Sequence, residues 1–156
     1  MQAGLILKRR GLLSEDQLQQ SLESDTPGVV QAAVSLGYID EREALEALAD
    51  EVGLDYVDLR TTDVDLKALE NFPQKLIYRN ALFPIGFDDD SIIVATSDPL
   101  DLYPLDEASA ATGRSIIPVV AQREEIARLM NRHLGVGSET IEGLMAAKSD
   151  EDGVEL

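Results

Sequence analysis

Between Leu82 and Arg128 the chain concentrates its β-branched and apolar residues, and no other stretch is dense enough in them to give a sheet with a helix on it. Ala81-Leu82-Phe83-Pro84-Ile85-Gly86-Phe87 and Ser91-Ile92-Ile93-Val94-Ala95 are two strand-like runs separated by Asp88-Asp89-Asp90. Such a pair predicts a β-hairpin whose turn is kept in water by its carboxylates. Asp98-Pro99 and a helix-length segment to Thr112 follow, then the turn Gly113-Arg114 and a third run, Ser115-Ile116-Ile117-Pro118-Val119-Val120. The expected unit is a small β-β-α-β-α block, an antiparallel hairpin plus one more strand. Leu102, Leu105, Ala108 and Ala111 supply one apolar helix face, and Ile126, Leu129, Met130 and Leu134 supply another. That leaves Asp101, Glu107, Glu124 and Arg128 in water. Gly113 and Gly135 stop the two helices. Pro84 and Pro118 would each remove a ladder donor, so they belong at a strand end, a bulge or an edge.

The residues before this block read as helices. Gly4 to Leu7 form a short first one, ended by Lys8-Arg9-Arg10 and Gly11. Ser14 with Gln17 three positions later has the spacing of a capping box, and Leu18 and Leu22 give the helix it opens a narrow apolar face. That helix stops near Thr26-Pro27-Gly28. Val29 to Leu36 is the next, closed by Gly37, and Asp40 opens another in the same capped fashion, lined by Ala44, Leu45, Leu48, Ala49 and Val52 and closed by Gly53. Gly11-Leu12-Leu13-Ser14 followed by Leu18 and Leu22 has the same offsets as Gly37-Tyr38-Ile39-Asp40 followed by Ala44 and Leu48. Two such units, each glycine, apolar anchor, cap and helix, can bury narrow faces together that neither buries alone. The competing reading is two unrelated capped helices that share common punctuation. Leu54 to Leu59 reads as an extended connector, Thr61 to Asp65 cap a brief helix holding Leu66 and Leu69, and Pro73 opens the helix Gln74 to Asn80.

The fold class is therefore α+β. A helical subdomain with tandem capped helices spans 1–60, and an α/β subdomain over 61–135 holds a small three-stranded, mainly antiparallel sheet packed with helices. Residues 136–156 read as an acidic, largely mobile tail or linker, in which only Ile141, Leu144 and Met145 offer a turn or two of helix.

Charge narrows the function classes. The formal net charge is -17, from 30 acidic and 13 basic residues, which repels nucleic-acid phosphates and anionic lipid. Cysteine is absent, so disulfide and thiol chemistry are absent too, as suits the cytoplasm. No apolar run reaches membrane length and no signal-peptide pattern occurs, so direct membrane insertion is not expected. Neither a glycine-rich phosphate loop nor a dinucleotide fingerprint is present, and the chain is not expected to be an enzyme by itself. His133 reads as a helix-end residue favoured by the dipole. Asp88, Asp89 and Asp90 lack the ligand spacing of a calcium loop, so no metal is expected. Asp98 and Asp101 are explained as capping carboxylates. Positive charge is scarce, and Lys8-Arg9-Arg10 either complements a helix C-terminus or contacts an anion or acidic partner; Arg114 and Arg123 carry the same two readings.

Taken together, Leu82-Phe83-Pro84-Ile85, Asp89-Asp90-Ser91-Ile92-Ile93-Val94-Ala95, Asp98-Pro99-Leu100-Asp101, Thr112-Gly113-Arg114 and Pro118-Val119-Val120-Ala121 with Glu125-Ile126 resemble the N-terminal domain of secretion and pilus-assembly ATPases. These are the motors of type II secretion and type IV pilus systems. The upstream glycine-capped helices and Gly53-Leu54-Asp55-Tyr56-Val57-Asp58-Leu59 are similar to it as well, so the resemblance covers roughly residues 3 to 135. It implies a cytoplasmic, non-catalytic module that docks an ATPase core, in cis or in trans, on the cytoplasmic part of an inner-membrane platform protein. Some relatives use the tandem helical repeat to bind cyclic di-guanylate, with an arginine-leucine-glycine opening each repeat and a glutamine closing it. Here Gly4 matches the first glycine, but Gln2 stands at the arginine position; in the second unit Gly28 occupies the arginine position and Val30 the glycine position. The closing positions near Thr26 and Val52 lack glutamine. A protein-docking module is accordingly the leading expectation, with a cyclic di-guanylate receptor as the alternative and a free-standing adaptor or structural spacer as the third reading. The surface for either ligand or partner is expected around Gly4, Lys8, Arg9, Arg10, Gly11, Leu18, Leu22, Gly37 and Leu48.

Overall fold

A computed structural model of the chain describes residues 2–135; the expected helical turn at Ile141 to Met145 and the acidic tail lie outside them. The capping box at Ser14 forms, since the Gln17 N–H donates to Ser14 Oγ at 3.1 Å and the Ser14 N–H donates to Gln17 Oε1 at 3.0 Å. It starts α2 (Glu15–Glu23), which follows α1 (Gln2–Arg9). α3 (Val29–Ser35) and α4 (Glu41–Val52) repeat this helical hairpin. Gly11 and Gly37 both turn the chain at φ 80°, and in both turns the next N–H reaches back to a helix carbonyl at 2.9 Å, Leu12 to Leu7 and Tyr38 to Ala33. Leu13 and Ile39 then enter one shared core cluster. The two units of the sequence are thus two copies of one structural hairpin.

The copies differ at their caps. Asp40 is the N-cap of α4 but its side chain accepts no hydrogen bond there, which corrects the expectation of identical capping. Leu22 departs as well: it is 40% exposed, while Leu18 is buried. At Leu18 the α1 backbone comes very close, through Gly4. A Cβ on Gly4 would stand 2.5 Å from Leu18 Cδ1 and 3.2 Å from Val29 Cγ2.

A 3-10 turn (Leu66–Leu69) and α5 (Gln74–Asn80) lead into the sheet. Asp65 caps the former by accepting the Lys67 N–H at 3.0 Å, and Pro73 is the N-cap of the latter rather than its first helical residue. β1 (Phe83–Asp88) and β2 (Ser91–Thr96) form the expected hairpin, with Asp89 at φ 54° in a turn shorter than the three-residue break. α6 (Tyr103–Thr112) then crosses over to β3 (Ile116–Val120). The order is β1-β2-β3, antiparallel for the first pair and parallel for the second. The sheet is mixed, which corrects the mainly antiparallel expectation; a strand reached through a crossover helix returns in the direction of the one it left. Pro84 sits at a register shift and Pro118 in the outer strand β3, the positions where a missing donor is tolerated.

α7 (Arg123–Leu134) packs Ile126, Leu129 and Met130 into the main core with Phe83, Val94 and Ile77. α6 contributes Leu105 and Ala108 but not the other two expected residues. Leu102 is 57% exposed because it precedes the first turn, and Ala111 faces solvent. The helical hairpins are tied to the outer edge of β3 by the connector: the Val57 N–H donates to the Val120 carbonyl and the Val120 N–H to the Asp55 carbonyl, both at 2.8 Å. Leu45 and Ala49 of α4 pack on Val120 beneath that pairing. An edge that would otherwise offer unpaired backbone groups is thereby covered.

Candidate functional site

Because β2 and β3 are parallel, Thr96 and Val120 end side by side and release the segments Ser97–Asp101 and Ala121–Gln122 at one end of the sheet. Crevices beyond the carboxyl ends of parallel strands are the usual ligand positions of such sheets. Here the helical hairpins roof that end. A cleft of about 570 Å³ lies between Gln2 of α1, Gly28 and Gln31 around α3, Leu48 of α4, and Asp98, Leu100, Asp101 and Arg123. A second cleft of about 240 Å³ shares Ser97, Asp98, Asp101 and Arg123 with the first and continues past Tyr78, Asn80 and Pro104. The Asp98 to Asp101 segment is thus a ridge common to both.

The ridge is fixed locally. The Asp98 N–H donates to Thr96 Oγ1 at 3.0 Å and the Tyr103 N–H to Asp101 Oδ1 at 3.3 Å. Asp98 is exposed as a residue, and partial desolvation of its carboxyl by the cleft walls pushes it above the ordinary carboxylate range. The Asp101 charge acts in the same direction, while the Leu100 N–H and Arg123 pull back. Arg123 is the one cation among the residues lining the larger cleft, against the two carboxylates Asp98 and Asp101. Its backbone N–H donates to Glu41 Oε2 at 3.3 Å, which also accepts Gln31 Nε2 at 3.4 Å, so Glu41 links α3, α4 and α7 beside the cleft. Just past the ridge, Leu102 and Tyr103 stand 57% and 72% exposed.

Of the residues the sequence singled out, Leu48 lines this cleft, as do Gln2, Gly28 and Val30 from the motif positions of the resemblance. Gly4 and Leu18 are packing residues, Gly11 and Gly37 turn the hairpins, and Leu22 is exposed away from any partner in the core. The basic cluster is occupied internally. Lys8 pairs with Glu15, Arg9 with Glu51, and Arg10 with Asp50 at 2.9 Å and Glu51 at 3.1 Å. Lys8 ties α1 to α2, the two arginines tie the end of α1 to the end of α4, and the hydrogen bonds from Arg9 and Arg10 hold the Glu51 carboxyl below its usual range. Arg114 donates to the Asp90 carbonyl at 3.1 Å and lies over the Phe87 ring. His133 rests against Phe83, with ring centroids 6.2 Å apart.

Sequence reasoning missed Glu125, which is 7% exposed and accepts the Leu59 N–H at 3.1 Å. In the first turn of a helix an acidic residue looks like any dipole-complementing one, so no local signal marked it. Among the described residues no group of acidic or histidine side chains is arranged to hold a metal ion, and no helix is long and apolar enough to cross a membrane.

A family model described as the MshEN domain matches residues 52–140. The chain is 24% identical over 151 residues to the type IV pilus assembly ATPase PilB of Myxococcus xanthus, covering 95% of this chain and 27% of that protein. It is 28% identical over 153 residues to the type II secretion system protein E of Xanthomonas campestris, covering 94% of this chain and 27% of that protein. The chain therefore spans little more than a quarter of the length of these curated relatives. Among solved structures, MshE with cdg (cyclic di-guanylate) superposes with a TM-score of 0.73 at 27% identity, covering 84% of this chain and 97% of that one. The N-terminal domain of XpsE superposes with a TM-score of 0.65 at 26% identity, covering 81% and 89%.

Proposed function

The chain belongs to the MshEN domain family, and from that premise we propose that it is the non-catalytic docking and regulatory domain of a pilus-assembly or type II secretion motor, binding the cytoplasmic part of an inner-membrane platform protein. An ATPase core, in cis or in trans, is the other partner this reading calls for. The observation that carries it is the composition of the cleft. A cyclic dinucleotide brings two phosphates, which need charge-assisted forks. Gln2 supplies no charge, and Gly28 has φ 88°, a backbone conformation in which an arginine would be strained. Arg123 shares the cleft with the carboxylates of Asp98 and Asp101, which repel a phosphate. What the same end of the molecule does offer is the exposed pair Leu102 and Tyr103, bordered by Asp101 and Asp106. An exposed tyrosine is among the usual anchors of a protein interface, and Leu102 adds apolar area beside it.

One observation favours the second reading, a cyclic di-guanylate receptor: the likeness to MshE with cdg, together with a cleft inside the size range of small-molecule sites. The two are separated by passing the cytoplasmic portion of the platform protein of the same machinery over the immobilised full chain, with and without excess cyclic di-guanylate. Docking predicts binding that ignores the nucleotide and drops in the L102A/Y103A variant. Binding that requires the nucleotide, or heat released on titrating the nucleotide alone, overturns docking in favour of the receptor.

A further inference from the structure

In a chain with 13 basic and 30 acidic residues most cations are expected to be consumed in pairs, and Lys8, Arg9, Arg10, Arg42, Arg60 and Arg79 are. Lys67, Lys75, Arg114, Arg123, Arg128 and Arg132 are not: among the described residues none of them has a carboxylate within ion-pair distance, and of these only Arg128 and Arg132 share a cleft. Glu124 stands four residues before Arg128, the order that favours a pair along a helix, yet the two do not meet. Instead Arg128 and Arg132, one turn apart on α7, line a cleft of about 130 Å³ with Leu59, Arg60, Glu125 and Leu129.

The lining is net positive, with Arg60, Arg128 and Arg132 against the single carboxylate of Glu125. Glu125 Oε1 is committed to the Leu59 N–H at 3.1 Å and Oε2 to Arg60 at 3.4 Å. Arg60 is itself forked onto Asp58 at 3.0 and 3.1 Å. Both exposed arginines of α7 thus line a cleft whose one carboxylate is held by Leu59 and Arg60.

We propose that this cleft is a docking site for an acidic segment of a partner protein, whose carboxylates are taken by the forks of Arg128 and Arg132. The volume is below the roughly 300 Å³ at which small-molecule sites begin, so it suits a carboxylate group and not a nucleotide. Arginine presents the planar fork that matches a carboxylate. At physiological salt charges are screened beyond about 8 Å, so the acidic remainder of the surface does not forbid a local contact. This site is independent of the cleft at the strand ends and of the docking reading given to it.

The test is fluorescence anisotropy of a fluorescein-labelled hexaglutamate peptide titrated with the full chain at physiological salt, beside a hexaglutamine peptide and inorganic phosphate. Hexaglutamate binds and hexaglutamine does not; R128Q/R132Q weakens binding about tenfold, whereas R114Q changes it less than about twofold. In the unsubstituted chain the side-chain Nε–H signals of Arg128 and Arg132 move with hexaglutamate, a readout that needs no variant to fold. Absence of hexaglutamate binding overturns the proposal, as does equal weakening by R114Q. Binding of phosphate without hexaglutamate makes the cleft a simple ion site and overturns it too. Binding that emerges only in a D150N/E151Q/D152N chain assigns the cleft to the chain's own acidic segment and overturns the partner.

Discussion

Glu125 and Leu59 are 66 residues apart, and the buried Glu125 carboxylate accepts the Leu59 N–H at 3.1 Å. This one bond pins the connector to the first turn of α7. Removing the acceptor leaves a buried N–H without a partner, so E125A is expected to lose about 1–3 kcal/mol. E125Q keeps an oxygen acceptor and loses only the pair with Arg60, whose side chain is 60% exposed, so its cost is below about 1 kcal/mol. Urea unfolding of the two variants checks the order. Equal losses would show that charge, not the backbone contact, is what Glu125 supplies.

At Gly4 two effects of opposite sign compete. Alanine favours a helix over glycine by up to about 1 kcal/mol, but the added Cβ would meet Leu18 Cδ1 at 2.5 Å in a site where Leu18 is buried. Overpacking of that kind costs about 1–3 kcal/mol, so packing wins. G4A is expected to be modestly destabilised and G4V clearly so, each with a lower urea midpoint and an unchanged slope. A G4A variant more stable than the parent would mean that α1 can move off α2 at no cost.

The helical repeat was legible because its signals are local: a glycine turn, an apolar anchor and a cap lie within a few residues of each other at Gly11 and again at Gly37. The strands were legible as β-branched runs for the same reason. The direction of β3 was not, since only the crossover through α6 decides it. The roles of the charged residues were least legible of all. Arg10 reads as a helix end, and only folding brings it to Asp50, 40 residues away. Asp98 and Glu125 both look like residues at helix starts, and nothing within their own segments says that a second element will crowd them. The candidate cleft was therefore only grazed, through Leu48 and the motif positions Gln2, Gly28 and Val30, while in the sequence Asp98 and Asp101 read as caps and Arg123 carries two readings.

The two hairpins offer an internal comparison at their caps. Ser14 makes a reciprocal capping box with Gln17, whereas Asp40 makes no side-chain cap bond and can act only through its charge on the helix dipole. S14A is expected to cost about 1 kcal/mol, and D40A only a few tenths of that scale, reduced further by salt. Thermal unfolding at low and high salt separates the two: the S14A loss stays, and the D40A loss fades.

Asp98 is a carboxylate whose ionisation opposes folding, and Glu51 is one whose ionisation supports it. Partial desolvation, then Asp101, raise Asp98 above its ordinary 3.8 in the folded chain. The folded state therefore binds more protons than the unfolded one between 3.8 and the raised value, stability falls as pH rises through that interval, and the penalty is complete above it. The hydrogen bonds from Arg9 and Arg10 lower Glu51 below its ordinary 4.5, so its contribution is present above 4.5 and is lost as pH falls through the lowered value. D98N is accordingly expected to melt higher than the parent at neutral pH and E51Q lower, with both differences closing in acid. Melting temperatures of the three chains across the acid range test the signs, and a D98N chain less stable than the parent at neutral pH would sink the argument.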